Sequence, residues 1–182
     1  MRITLLIAAF ALTASVANSQ IIVENEGSPA DLVSNLTFTN NLEVFNITFV
    51  GDTNQFGYFN AQNSNIPLDY GIVLGTGDVT NVIGPNNTPS STFGGGNNGV
   101  SDVDIEALVA TPCNDAAVLE FDFISPSDTS ITVEFVFGSE EYNNYVCSSY
   151  TDGLGIFLSG PGIEGSFSNN AVNLATVPGT GS

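Results

Sequence analysis

The residues with the widest choice of chemistry in this sequence are its acids. Glu140 and Glu141 follow the apolar run Ile131–Phe137, Asp152 opens the return through Asp152-Gly153-Leu154-Gly155, and Asp102 and Asp104 stand just before Ile105. Ca2+ takes six to eight oxygen ligands at about 2.3–2.6 Å, and acids, amides and hydroxyls gathered at two strand ends supply them. Glu140, Glu141, Asp152, Asp102 and Asp104 are therefore expected to share a Ca2+ site. Their spacing does not match an EF-hand loop. The same residues have a plainer use, a capped hairpin in which Asp152 accepts hydrogen bonds from turn amides.

Other chemistries fit less well. A glycosidase needs two carboxylates about 5–10 Å apart across the bond it cleaves. Glu140 and Glu141 are poor candidates, since neighbours on a strand point to opposite faces. Histidine is absent, which excludes Ser–His and Cys–His acyl transfer in its usual form. The Gly94-Gly95-Gly96 run has neither the lysine nor the strand–loop–helix setting of a phosphate loop. No catalytic residue is assigned.

The charge balance limits partners. The 182 residues include 19 Asp or Glu, and Arg2 is the one basic side chain. Phosphate backbones and anionic lipid are held by Lys and Arg, so neither nucleic acid nor an anionic membrane surface is an expected partner. Clustered carboxylates in such a chain must be solvated, bonded to backbone N–H groups, or offset by a cation.

The start of the chain has the layout of an export signal: Arg2, the apolar run Ile3–Leu12, then small residues. Cleavage is expected between Ser19 and Gln20, leaving residues 20–182 as one β-rich domain. The apolar run is too short to span a bilayer of about 30 Å, and no later segment approaches that length. Cys113 and Cys147 both follow the signal. In an oxidising compartment they are expected to bond, which would stabilise the fold by about 3–4 kcal/mol. Histidine and CxxC spacing are both missing, so zinc is not expected.

The elements that position these residues read mostly as strands. Leu42–Phe49, Gly57–Asn60, Gly71–Leu74, Val118–Ile124, Ile131–Phe137 and Gly155–Ser159 are rich in β-branched and aromatic residues between Gly, Pro, Asn and Asp. Val118–Phe137 reads as a hairpin with Glu120, Asp122 and Glu134 on its outer face. Two short helices are expected: one from Ser28-Pro29-Ala30-Asp31 to about Asn35, and one capped by Ser101 with Asp104. Residues 84–99 read as a long polar surface loop. The fold class predicted is mainly β, an antiparallel sandwich or jelly roll with one or two short helices. The strand-like Ala171–Ala175 and the uncapped end at Ser182 predict a longer parent protein.

The run Phe137-Gly-Ser-Glu-Glu-Tyr142, continued through Cys147 and Asp152 to Phe157-Leu-Ser-Gly-Pro-Gly-Ile163, and preceded by Ala116–Phe123 and Tyr70–Val79, resembles the choice-of-anchor L domain of bacterial secreted and surface proteins. The resemblance covers roughly Ala30–Gly179. It implies an exported, secreted or cell-surface module of a large bacterial protein, with an anchoring or sorting domain beyond residue 182. Relatives usually carry Asn before the acid at 152, where this chain has Thr151. Cys113 and Cys147 are not part of the pattern.

The function expected from these readings is a non-catalytic surface module, stabilised by calcium, that contacts extracellular matrix, carbohydrate or another surface component. Two alternatives stay open, a carboxylate-dependent glycosidase and a structural spacer.

Overall fold

The computed structural model describes residues 20–36, 42–85, 89, 99–125, 131–139, 142 and 144–176. The expected signal peptide, most of the 84–99 loop, Glu140, Glu141 and residues 177–182 lie outside them.

At the N-terminal end Ile22–Glu24 forms β1 and Pro29–Leu36 forms helix α1. The helix begins where expected. Ser28 N and Oγ donate to Asp31 Oδ2 at 2.8 and 2.7 Å, and Asp31 N donates back to Ser28 Oγ at 3.3 Å, a reciprocal box that satisfies backbone donors left free at a helix start. Pro29 loses no hydrogen bond there. Leu32 and Val33 are fully buried, and α1 packs against both β2, Glu43–Val50, and β4, Tyr70–Leu74.

Three antiparallel sheets follow. In the first, β1 and β4 flank β3, Phe56–Asn60, with Val23 opposite Phe59 and Tyr58 opposite Ile72. The second pairs β2 with β5, Val118–Ile124, and the third pairs β6, Phe157–Leu158, with β7, Val172–Asn173. Helix α2, Val103–Val109, precedes β5. The fold is mainly antiparallel β with few short helices, as the sequence predicts, and no sheet among the described residues closes into a barrel.

A bulge in β2 accounts for an awkward apolar spacing. Val44, Ile47 and Phe49 cannot share one face of a regular strand, because side chains alternate with period two. The register runs Phe45 opposite Asp122, then Thr48 opposite Glu120, so β2 carries one extra residue. Asn46 occupies it at φ 52°, a left-handed conformation that Asn tolerates better than most residues. Its Nδ2 donates to Asp122 Oδ2 across the strands at 2.6 Å. Past the bulge, Ile47 and Phe49 return to the half-buried face shared with Leu119, Phe121 and Phe123. Phe49 also meets Phe56 edge-on, ring centroids 4.7 Å apart, which joins the second sheet to the first.

Three expectations need correction. Ile131–Phe137 is not a strand, and β5 pairs with β2 rather than with that run. The inward pattern of β5 is met equally well by β2 once the bulge restores its phase, so adjacency along the chain did not decide the pairing. Helix α2 is capped by Asp102 rather than Ser101: Asp102 Oδ1 accepts from Asp104 N at 3.0 Å and Ile105 N at 2.9 Å. Either residue type caps well, and the position of the first helical turn selects between them. The disulfide is absent. Both cysteines are free thiols, Cys113 half-buried and Cys147 exposed, and Cys113 Sγ accepts a hydrogen bond from Asp102 N at 3.1 Å.

Candidate functional site

The acids singled out by the sequence converge partly on the start of α2. Asp102 caps the helix through its two backbone donors. Asp104, two residues further on, accepts from Ser168 N at 2.9 Å and Ser168 Oγ at 3.0 Å through Oδ1. That pair of bonds ties the helix start to the turn that leads into β7. Glu106 in the same helix accepts from Cys113 N at 3.2 Å, which folds the segment after α2 back against it.

Asp152 reaches the same region through its neighbours. A methyl group placed on Gly153 would lie 2.8 Å from Ile105 Cγ2 and 2.9 Å from Val109 Cγ1. The Asp152–Gly155 return therefore runs directly along the apolar side of α2, and glycine is what permits the approach. Asp152 itself is exposed.

The segments thus meet, but their carboxylates do not pool. Among the described residues no three Asp, Glu or Cys side chains are gathered as a metal ion requires. Asp102 and Asp104 each meet two hydrogen-bond donors, which offsets their charge without a cation. Glu140 and Glu141 lie outside the described residues.

One residue outside the sequence reading holds more of the fold than any of these. Gln55 is 1% exposed. Its Oε1 accepts from Asp52 N at 2.6 Å, and its Nε2 donates to Thr76 O at 3.0 Å and Asp115 O at 2.8 Å. It joins the turn before β3, the turn after β4 and the loop before β5. A single amide in a polar turn carries no sequence signal that separates it from a solvated glutamine.

The arrangement is that of an antiparallel β module whose polar contacts within α2 and its surroundings serve cohesion. The chain belongs to the choice-of-anchor L domain family, whose model matches residues 19–182. The family is one of surface-associated modules, points to an exported or cell-surface protein, and is not known as catalytic. Neither a curated protein nor a solved structure matches the chain. No helix among the described residues is long and apolar enough to cross a membrane.

Proposed function

We propose that this chain is a non-catalytic contact module, released from its signal peptide after Ser19, that holds an extracellular polymer or another surface component on the outside of a bacterium. The observation that carries the reading is the family match over residues 19–182. The use of Asp102 and Asp104 as acceptors for the chain's own donors supports it, since acids committed in this way are poorly placed to exchange protons with a substrate.

Calcium belongs to this proposal in a narrower form than the sequence suggested. Glu140, Glu141 and Asp152 remain its ligands, with Asp102 and Asp104 acting first as structural acceptors.

The test is a binding and turnover screen of the purified chain against a panel of polysaccharides and matrix proteins. Retention on at least one of them without any release of reducing sugar is expected. Turnover that disappears on Glu140→Gln or Glu141→Gln would make the protein a carboxylate-dependent glycosidase. Retention on none would make it a spacer.

A further inference from the structure

Residues 131–138, Ile-Thr-Val-Glu-Phe-Val-Phe-Gly, have the composition of a strand and none of its bonds. No backbone group in this run takes part in a hydrogen bond among the described residues. Ile131, Val133, Phe135, Val136 and Phe137 are each between 47% and 56% exposed, and no described residue lies within 4 Å of the position a side chain would take at Gly138. β-branched and aromatic residues in alternation favour a pleated, half-buried surface. Exposed and unpaired, they form a template onto which another strand can be added.

We propose that Ile131–Gly138 is a docking strand for an extended segment of a partner protein that alternates apolar residues with lysine or arginine. This deepens the contact-module reading and rests on it. Ordered as a strand, the run places Ile131, Val133, Phe135 and Phe137 on one face and Thr132, Glu134 and Val136 on the other. The partner must match the first face with apolar side chains. Opposite Glu134 it must present a cation, because residues 20–182 contain no Lys, Arg or His to supply one.

Charge also decides against a second copy. Glu134 is the central residue of Ile131–Phe137, so antiparallel pairing of two copies about that centre sets Glu134 against Glu134. Like charges directly opposite destabilise a strand pair, and the uniformly acidic remainder of each chain adds to the repulsion.

The probe is a labelled peptide, Val-Thr-Val-Lys-Val-Thr-Val, followed by fluorescence anisotropy against the chain, with a twin whose central residue is Glu. The Lys peptide is expected to bind and to weaken with added salt. Methylating its alternate backbone nitrogens, or introducing Val133→Pro, should abolish binding, because both remove ladder hydrogen bonds. Glu134→Lys should weaken the Lys peptide roughly fivefold and favour the Glu twin, as expected for one cross-strand charge pair. Circular dichroism confirms that these surface variants stay folded. Absence of Lys-peptide binding, equal binding of the methylated peptide, or a dimer in light scattering would overturn the proposal. So would slow hydrogen exchange of the 131–138 amides in the free chain, which would mean an internal partner. Polymer retention without peptide binding would remove this inference and leave the contact-module reading standing; peptide binding without polymer retention would narrow that reading to a surface protein as the component held, and binding to neither would leave a spacer.

Discussion

Gln55 concentrates three structural connections in one side chain, and replacing it should be costly. Gln55→Leu keeps the volume and removes the partners of Asp52 N, Thr76 O and Asp115 O. Leaving buried groups unpaired costs about 1–3 kcal/mol each where water cannot reach them. A loss of about 3 kcal/mol is expected, read as a lower urea midpoint with an unchanged slope. Asp31 provides a pH-dependent counterpart. Hydrogen bonds from the side chain and then the backbone of Ser28 hold its carboxyl below the ordinary value of 3.8. A depressed folded value means that the unfolded chain binds the proton more readily, so stability falls as pH falls. The contribution of Asp31 is fully present above 3.8 and is lost as pH drops through its lower folded value. Acid titration followed by NMR should find the Ser28 amide shifting with a midpoint below pH 3.8, and Ser28→Ala, which removes the hydroxyl but keeps the amide donor, should move that midpoint up toward 3.8.

Among the elements, α2 is the one most dependent on its surroundings. It is short, and a helix of this length is marginal in water without tertiary contacts. Its supports are the Asp102 cap, the Asp104–Ser168 bonds and the close passage of Gly153. Gly153→Ala should cost about 1–3 kcal/mol by overpacking, since its methyl would press on Ile105 and Val109. The shortened side chain of Val109→Ala should recover part of that loss, so the two substitutions together are expected to be less damaging than their sum. Thermal unfolding of the four chains of this cycle measures it. Additive losses would mean that the return does not press on α2 in solution. β2 illustrates how an element absorbs an irregular sequence: the bulge at Asn46 keeps both of its apolar stretches on one face.

For the whole molecule, the acidic balance makes cation binding the property most open to measurement. If Glu140, Glu141 and Asp152 hold calcium, unfolding at constant ionic strength should shift upward with Ca2+ and return with chelator. At one hundred times the dissociation constant the stabilisation is about 2.7 kcal/mol. An unchanged midpoint in both buffers would leave these acids as solvated surface charge. Much of the architecture was legible along the chain. The Ser28–Asp31 box, β3, β4 and β5, and the residues that carry the family resemblance all depend on spacings within a few residues, where capping geometry and strand alternation operate. Sequence also determined the sign of the surface, because no folding can create a cation from residues 20–182. Tertiary structure alone decided that β5 joins β2, that Asp102 and Asp104 serve α2 and Ser168, that Cys113 meets Asp102 N and remains a free thiol, and that Gln55 is buried. Those outcomes turn on which of several similar apolar faces and polar partners meet across long stretches of chain. Local periodicity is the same for each alternative, whereas the pairing energy exists only once the distant segments are in contact.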